Sequence, residues 1–416
     1  MATSQTASDF MQPLFAERIG GRRFGQGTEI YKFEKIKRAK AAAQRARPDL
    51  PLIDMGVGEP DAMADPGVVQ TLAAEAALPE NRFYADNGIP EFKEAAARYM
   101  ARVFGVTDLD PETEINHAIG AKSALTLLPL AFINPGDVTI MPLPSYPVLG
   151  THTRYLGGEV AYLPLEPSHG FLPDLGQLDA EVLRRAKLLY LNYPNAPTGA
   201  SANRDFLTDV VRFAKKHGIL VVYDAAYAAL TFDGAEPLSF LSIPGAKECG
   251  VEIHSLSKAF NMTGWRIAFV AGNARAVEAF ATVKDNSDSG QFRAIQKAAI
   301  YALDHPEITE RTAAKYSRRH DLLVAALSEV GFAVSKPQAS FYLYTPIPKA
   351  ASGRTFRTAE EFSEFLIMEQ LISTVPFDDV GAYVRWSVTF SAADEEAERS
   401  VVAEVKRRLS RLELVF

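Results

Sequence analysis

Short apolar segments recur in the middle of this 416-residue chain, and each is separated from the next by a stretch that can form a helix. They lie near residues 116–119, 138–141, 187–191, 219–223, 251–254 and 267–271. This alternation predicts an α/β fold with a mostly parallel central sheet sandwiched by helices. Because parallel strands present their carboxyl ends at one edge of the sheet, we expect ligands to bind at that edge.

The pattern changes after Asp304. A long charged helix is predicted over 311–330, strands over 341–344 and 384–389, and a closing helix that runs through Leu409. No low-complexity linker or internal repeat interrupts the chain. A chain of this length with 47% hydrophobic residues can bury a large core and is long enough for two domains.

Charge and cysteine content exclude several classes of protein. Lys and Arg number 44 against 51 Asp and Glu, and the resulting charge of −7 does not favour nucleic acid or an anionic membrane as partner. The single cysteine, Cys249, cannot form an internal disulfide and is expected to be a packing residue. The polar first residues lack the apolar centre of an export signal, and no apolar run reaches the length of a membrane span, so a cytoplasmic protein is expected.

Residues 254–266 carry the sequence His-Ser-Leu-Ser-Lys-Ala-Phe-Asn-Met-Thr-Gly-Trp-Arg. Lysine amines condense with aldehydes, and pyridoxal phosphate offers an aldehyde together with a phosphate dianion. Lys258 is therefore the candidate attachment point, and Ser255, Ser257 and Arg266 are candidates to hold the phosphate. The tetrapeptide Ser-Leu-Ser-Lys alone is common in solvated turns, so the arginine eight residues further on carries much of the argument.

A second candidate lies at the end of the predicted strand 219–223. A pyridoxal site needs an acid opposite the ring nitrogen and a donor at the ring hydroxyl. Asp224 ends the apolar run, where a carboxylate is unfavourable without a partner, and Tyr227 follows three residues later. The alternative is that Asp224 only caps a following helix. No metal site is expected.

Three segments follow one another in an informative order: Asn-Tyr-Pro-Asn-Ala-Pro-Thr-Gly over 192–199, Tyr-Asp-Ala-Ala-Tyr over 223–227, and the lysine segment 254–266. Together they resemble the class I and II aminotransferases, pyridoxal-phosphate enzymes of fold type I, over most of the chain. The resemblance implies a large cofactor-binding domain over 65–304 and a smaller α+β domain over 305–416. Residues 1–64 are expected to form an N-terminal arm and part of the smaller domain.

The resemblance also implies further cofactor contacts. Ala121 and Lys122 would donate backbone N–H groups to the phosphate from a helix N-terminus. Tyr146 would stack on the pyridoxal ring, and Tyr84 would reach the cofactor phosphate of a neighbouring subunit, which implies a homodimer with shared sites. Without the resemblance, the turn before Ala121 is an ordinary helix start and Tyr146, between two prolines, an ordinary packing residue.

One position departs from the family pattern. The family usually carries an asparagine directly before Pro-Thr-Gly, where this chain has Ala196. Asn195 is then the nearest amide that could contact the ring oxygen or the substrate.

The resemblance further implies how an amino acid is held and changed. Arg385 occupies the position of the carboxylate anchor, and its planar fork suits a carboxylate. Gly58 would bring backbone close to the same carboxylate, although a plain turn explains such a glycine equally well. In the expected ping-pong reaction, Lys258 moves the Cα proton as general acid and base while Asp224 keeps the ring nitrogen protonated.

The substrate is indicated by a narrower resemblance. The arm over 31–38, the Gly-Val-Gly over 56–58 and the segment 120–122 resemble the LL-diaminopimelate aminotransferases, enzymes of lysine biosynthesis that use 2-oxoglutarate. The segments 84–88 and 284–291 look like a divergent branch of that family. The distal charges of diaminopimelate need polar partners, for which the candidates are Asp86, Asn87, Lys122, Ser289 and Gln291, and Tyr31 is the candidate for closing the site. Asp285 and Asp288 are expected to belong to a solvated turn. A general aspartate, alanine or aromatic aminotransferase would share every cofactor residue, and a C–S lyase of the same fold stays open.

Overall fold

The computed structural model describes residues 10–26 and 32–416. In chain order, its α-helices are α1 Lys32–Ala46, α2 Pro66–Ala76, α3 Pro90–Phe104, α4 Ala121–Phe132, α5 Val148–Tyr155, α6 Ala180–Arg185, α7 Arg204–His217, α8 Ala246–Cys249, α9 Leu256–Ala259, α10 Ala274–Asp285, α11 Arg293–Asp304, α12 Glu307–Glu329, α13 Ala359–Gln370 and α14 Glu395–Leu409. The β-strands are β1 Ile53–Asp54, β2 Ile115–Ala118, β3 Val138–Leu143, β4 Glu159–Pro164, β5 Ala186–Asn192, β6 Leu220–Asp224, β7 Gly250–Ser255, β8 Ala268–Gly272, β9 Tyr342–Pro346, β10 Ala350–Ala351, β11 Arg354–Thr355, β12 Ile372–Ser373, β13 Val375–Phe377 and β14 Tyr383–Ser387.

A seven-stranded sheet forms the centre of the fold, in the order β2-β8-β7-β6-β5-β3-β4. Only β8 runs antiparallel to its neighbours β2 and β7, so the predicted mostly parallel α/β sheet is confirmed. All six predicted strands are present. Strand β4 was not predicted, because it lies at the sheet edge and most of its residues are not fully buried, which weakens the apolar pattern.

The apolar runs of the central strands result from burial on both faces of the sheet. In β5, Leu189 and Leu191 pack into one hydrophobic cluster, and Leu188 and Tyr190 pack into another on the opposite face. Successive side chains of a strand point to opposite faces, so a strand covered by helices on both sides has no polar face. This is why such strands are recognisable from the sequence as continuous apolar segments.

The chain beyond Asp304 forms a second assembly of strands and helices. Strands β13, β14 and β9 make an antiparallel sheet, and β1 from the N-terminal part pairs in parallel with β12. Helix α12 corresponds to the helix predicted over 311–330, and it begins earlier, after Pro306. The predicted strands 341–344 and 384–389 correspond to β9 and β14. Within the described ranges, no helix is long and apolar enough to cross a bilayer.

Candidate active site

Polar side chains gather at the carboxyl ends of three adjacent parallel strands. Asn192 ends β5, Asp224 ends β6 and Ser255 ends β7. Asn192 lies opposite Asp224 in the sheet register, and Asp224 lies opposite Ile253. The site therefore forms at the sheet edge where the parallel topology places ligands.

Asp224 is an acid enclosed by the protein. Its Oδ2 accepts a hydrogen bond of 3.0 Å from the hydroxyl of Tyr190, and its Oδ1 accepts one of 3.3 Å from the backbone N–H of Ala226. Burial raises the pKa of the Asp224 carboxyl to about 6. Among the described residues, Asp224 has no ion-pair partner within 4 Å. A buried carboxylate in this state favours a ligand that brings a positive charge.

Arg266, Ser257 and the start of α4 meet at one point. Arg266 Nη1 lies 3.3 Å from Ser257 Oγ and donates a 2.8 Å hydrogen bond to the carbonyl of Thr263. A Cβ added to Gly120 would lie 2.1 Å from Arg266 Nη2, so only glycine fits beside the guanidinium. The N-cap of α4 is Gly120, so no side chain of the N-cap residue covers the first turn, which begins at Ala121. The N–H groups of Ala121 and Lys122 and the neighbouring guanidinium form a candidate anion cradle.

Ser255 lies next to this cradle, and its side chain is engaged within the protein. Its Oγ accepts a 3.2 Å hydrogen bond from the backbone N–H of Ser257 and so caps the short helix α9. The serine hydroxyl still has a proton to donate. Its position is compatible with the expected phosphate contact, which stays a prediction.

Lys258 stands on α9, between the acid and the carboxylate anchor. Its Nζ donates a 2.6 Å hydrogen bond to the carbonyl of Gly58. Burial lowers the pKa of the Lys258 ammonium, although nearby Tyr342 and Glu59 act in the opposite direction. A lowered pKa increases the fraction of neutral amine, the form that attacks an aldehyde.

Arg385 approaches the lysine from β14. Its Nη2 donates a 3.0 Å hydrogen bond to the carbonyl of Gly56, and its guanidinium lies 4.2 Å from the centre of the Tyr342 ring. Its Nε is buried and has no hydrogen-bond partner among the described residues. The fork is thus held in place with donor capacity left for a carboxylate.

Tyr342 was not among the predicted site residues. Its hydroxyl lies 3.0 Å from the hydroxyl of Tyr227, and a Cβ added to Gly58 would lie 2.7 Å from the same oxygen. The Tyr342 side chain therefore lies against Tyr227, Gly58 and Arg385. The only sequence signal for it was the aromatic alternation of Phe-Tyr-Leu-Tyr over 341–344, which is equally typical of an ordinary buried strand.

The structure uses the amide of Asn195 inside its own loop. Its Oδ1 accepts hydrogen bonds from the N–H and the hydroxyl of Thr198, at 3.1 and 2.7 Å, and its Nδ2 donates to the carbonyl of Asn192 at 3.1 Å. The N–H of Ala196 donates to Asn192 Oδ1 at 2.9 Å. The loop is therefore held by two asparagines, and a contact from Asn195 to cofactor or substrate stays a prediction.

Three other predicted residues present exposed side chains. Tyr84 is 79% exposed in this chain, Tyr146 is 39% exposed in the loop after β3, and Lys122 is exposed on the first turn of α4. Tyr146 lies near enough to Tyr190 to raise the pKa of that phenol further, beyond the larger effect of burial. Exposure of Tyr84 within one chain is compatible with a contact to a second subunit.

Of the residues predicted to contact the distal end of the substrate, some form hydrogen bonds within the chain and others are exposed. Asn87 donates a 2.5 Å hydrogen bond to Asp285 and accepts one of 3.0 Å from Asn116. Asp86 and Ser289 are exposed. Tyr31 lies outside the described residues.

The turn at 284–288 is not simply a solvated one. Lys284 is fully buried, and it contacts both Asp288, at 2.5 Å, and the carbonyl of Asp86. The expectation that Asp288 is a solvated charge is therefore wrong, because the neighbouring buried ammonium needs an anion.

The arrangement fits pyridoxal phosphate in three separate features. A buried acid without a cation suits the ring nitrogen, an uncapped helix start with a guanidinium suits the phosphate, and a desolvated lysine suits the aldehyde. Within the described ranges, no group of His, Cys, Asp and Glu residues could hold a metal ion.

Comparisons with known proteins agree with this geometry. The family model described as aminotransferase class I and II matches residues 51–404. The chain is 57% identical to the LL-diaminopimelate aminotransferase of Methanocaldococcus jannaschii, over 98% of this chain and 99% of the relative. It is 55% identical to the enzyme of the same name from Methanococcus maripaludis, again over 98% and 99%.

A solved structure shares the fold. The substrate-bound BacF structure from Bacillus subtilis superposes with a TM-score of 0.85 at 32% identity, and the match covers 96% of this chain and 98% of that one. Both the sheet topology and the sequence are therefore those of one family. The chain belongs to the class I and II aminotransferases, which are pyridoxal-phosphate enzymes of fold type I.

Proposed function

We propose that this chain transfers an amino group of LL-2,6-diaminopimelate to 2-oxoglutarate, which yields tetrahydrodipicolinate and glutamate for lysine biosynthesis. The observation that carries the proposal is the 57% identity, over 98% of the chain, to a relative named LL-diaminopimelate aminotransferase. Further relatives of that name are 38–42% identical over most of the chain. The small-molecule partners are therefore an amino acid and a 2-oxo acid.

Residues on three sides of the site would hold the cofactor. Arg266, Ser255, Ser257 and the N–H groups of Ala121 and Lys122 would bind its phosphate. Asp224 would face its ring nitrogen, Tyr227 and Asn195 would lie toward its ring oxygen, and Tyr146 would stack on the ring. When bound, pyridoxal phosphate supplies an aldehyde that condenses with amines and a protonated ring that accepts electrons from the substrate Cα.

Lys258 and Asp224 divide the proton chemistry between them. Lys258 Nζ removes the proton from the substrate Cα, because burial lowers the pKa of its ammonium and makes the neutral base available. Asp224 remains anionic opposite a positive charge, because that charge offsets the unfavourable effect of burial on its carboxylate. The two residues thus act on different protons.

Arg385 orients the substrate. Its fork binds the α-carboxylate, and the backbone around Gly58 limits how far that carboxylate can move, since Gly58 packs against Tyr342. The donor amino acid and the acceptor oxo acid use the same anchor in turn, so the kinetics are ping-pong. No second site for the oxo acid is needed.

The distal end of the substrate determines specificity. Lys122 pairs with the distal carboxylate, and Asp86 and Ser289 are placed in loops with exposed side chains that can reach a distal ammonium or carboxylate. Tyr31, which lies outside the described residues, is the candidate for closing the site. Of the remaining candidates, Asn87 and Gln291 have amides that already form hydrogen bonds within the chain, which leaves them less capacity for a substrate.

The functional unit is a homodimer with shared active sites, because Tyr84 is exposed in one chain and would reach the second cofactor. The division into an arm over 1–64, a large domain over 65–304 and a small domain over 305–416 belongs to the same proposal. So does a cytoplasmic location.

A donor panel tests the proposal. Purified protein is given 2-oxoglutarate with LL-diaminopimelate, aspartate, alanine or an aromatic amino acid, and glutamate formation is measured for each donor alone and in competition. LL-diaminopimelate should be the fastest donor. Faster turnover of aspartate, alanine or an aromatic donor would favour the general aminotransferase. A cysteine conjugate is tested as well, and its cleavage to pyruvate, ammonia and a thiol without consumption of 2-oxoglutarate would favour the C–S lyase.

A further inference from the structure

We propose that Gln291 is a positioning residue for Arg266: its amide, supported by His117, fixes the backbone at Trp265–Arg266 so that the guanidinium faces the cofactor phosphate. The inference deepens the proposed function, because it rests on Arg266 as a phosphate ligand. It gives Gln291 a role other than the distal substrate contact expected from the sequence.

The backbone at Arg266 is in a conformation that needs support. Arg266 has φ 57° and ψ 54°, in the left-handed region that residues with a side chain rarely adopt. A helical conformation of either hand turns consecutive carbonyls toward the same side, whereas an extended one turns them apart. The carbonyls of Trp265 and Arg266 accordingly converge on one donor, Gln291 Nε2, at 2.7 and 2.8 Å.

These two contacts determine the orientation of the Gln291 amide. Carbonyl oxygens only accept, so the nitrogen must face them and each of its hydrogens serves one carbonyl. The amide oxygen then faces His117, whose Nε2 lies 2.9 Å away. Burial lowers the pKa of His117 to about 4, so the neutral ring carries its single proton on Nε2 and donates it to Gln291.

Gln291 is itself anchored. Its own carbonyl accepts a 2.9 Å hydrogen bond from Nε2 of Gln296, which is fully buried in α11. His117 lies on β2 opposite Phe269 of β8, the strand that follows Arg266. Through Gln291 and His117, the loop before α11 and the central sheet are therefore both connected to the backbone at Trp265–Arg266.

The side chain of Arg266 depends on that turn because it has little space of its own. The guanidinium of Arg266 lies so close to Gly120 that a Cβ at position 120 would clash with it, and it also contacts Ser257 and Thr263. A change in backbone angle at Arg266 would displace the guanidinium relative to the start of α4. The phosphate, rather than the pyridine ring, would lose its contact.

The test uses the full-length chain, stripped of cofactor and titrated with pyridoxal phosphate and, separately, with pyridoxal, which lacks the phosphate. Gln291→Leu should weaken pyridoxal phosphate binding about tenfold, since two hydrogen bonds that hold the arginine turn are lost, and should change pyridoxal binding less than twofold. Gln291→Met, of similar shape, is the second variant in case leucine impairs folding. Ser287→Ala, in the same loop, is the matched control and should leave both affinities unchanged.

Arg266→Ala separates the inference from the function on which it rests. If Gln291 acts through Arg266, adding Gln291→Leu to Arg266→Ala should not weaken pyridoxal phosphate binding further. Equal losses for both ligands, or no loss for either, in the Gln291 variants would overturn the positioning role alone. If Arg266→Ala itself leaves pyridoxal phosphate affinity unchanged, the assigned phosphate site is wrong and the inference is overturned with it.

Discussion

The hydroxyl of Tyr190 donates a 3.0 Å hydrogen bond to Asp224 Oδ2, and both side chains are buried in the central sheet. Tyr190 lies on β5, one strand away from the acid, on the same face of the sheet as Asn192. The phenol stabilises the carboxylate in surroundings that otherwise disfavour charge, since burial alone raises the pKa of Asp224. Tyr190 is therefore a positioning residue for the proposed ring-nitrogen acid.

Loss of the Tyr190 hydroxyl should slow the reaction through Asp224. We expect Tyr190→Phe to lower kcat on the order of tenfold with a smaller change in KM, because a hydrogen bond to a charged group contributes roughly 1.5–3 kcal/mol. Asp224→Asn should lower kcat much more. In the Asp224→Asn background, Tyr190→Phe should add little, which steady-state kinetics on the four proteins can establish.

Tyr193→Phe provides the control for that experiment. Tyr193 is likewise fully buried, and its hydroxyl donates a 2.7 Å hydrogen bond to the carbonyl of Phe171 rather than to the acid. If Tyr193→Phe slows the enzyme as much as Tyr190→Phe, the effect of the latter is general destabilisation.

Asp224 should also give the cofactor-free protein a distinctive pH dependence. Its pKa is raised from 3.8 to about 6 on folding, so the folded state binds more protons than the unfolded state between these values. This contribution to stability is present below about pH 4 and lost as the pH rises through 6. Cofactor-free Asp224→Asn should therefore be more stable than the wild type at pH 7.5, by roughly 3 kcal/mol at most, and less so at pH 5.

Denaturant unfolding of the two cofactor-free proteins at pH 5 and 7.5 measures this difference. The same comparison with cofactor bound is the control, because a positive ring nitrogen removes the penalty of the wild-type carboxylate. An equal stability difference at the two pH values in the cofactor-free proteins would contradict the raised pKa.

Gly58→Ala should disturb substrate binding through Tyr342. The added Cβ would lie 2.7 Å from the Tyr342 hydroxyl, closer than carbon and oxygen normally approach, so the ring must shift from its position over Arg385. We expect the KM for the amino donor to rise about tenfold. Tyr342→Phe removes the clashing oxygen, so the KM of the double variant should return part of the way to the wild-type value. If it does not, the loop itself, and not the ring, has moved.

A Tyr84 variant tests whether the two subunits share their active sites. A Tyr84→Ala variant and a Lys258→Ala variant are each expected to have little or no activity. If Tyr84 crosses the subunit interface, mixing the two after subunit exchange gives heterodimers in which one site is intact, and activity should return to at most about half per heterodimer. Heterodimers verified by mass spectrometry that remain inactive would show that Tyr84 serves its own subunit.

A Lys122 variant tests whether this side chain binds the distal carboxylate of the substrate. Lys122→Ala should raise the KM for LL-diaminopimelate more than the KM for alanine, because alanine has no distal carboxylate to lose its partner. Loss of one charge-assisted hydrogen bond corresponds to a selective change of about tenfold to a hundredfold. Equal effects on the two donors would contradict a contact between the Lys122 side chain and the distal carboxylate.

Local sequence was enough to predict the central sheet, and it also singled out several residues of the candidate site. Strands β5 and β6 are apolar throughout because both of their faces are buried, and Asp224 stands out as the acid where such a strand ends. Edge strand β4 lacks that double burial and was not predicted. The proximity of Arg266 to Ser257 could also be anticipated, since nine residues separate them in the chain.

Contacts between distant parts of the chain were decided by tertiary structure alone. Gly58 and Lys258 lie 200 residues apart, and Tyr227 and Tyr342 lie 115 apart, yet both pairs are in hydrogen-bond contact. The sequence by itself determined the strand pattern, the chemistry of the lysine segment and the acid at a strand end, because these depend on neighbouring residues. Only the packed structure determined that Gln291 faces two carbonyls rather than solvent, because an amide side chain suits either environment until surrounding elements place its partners.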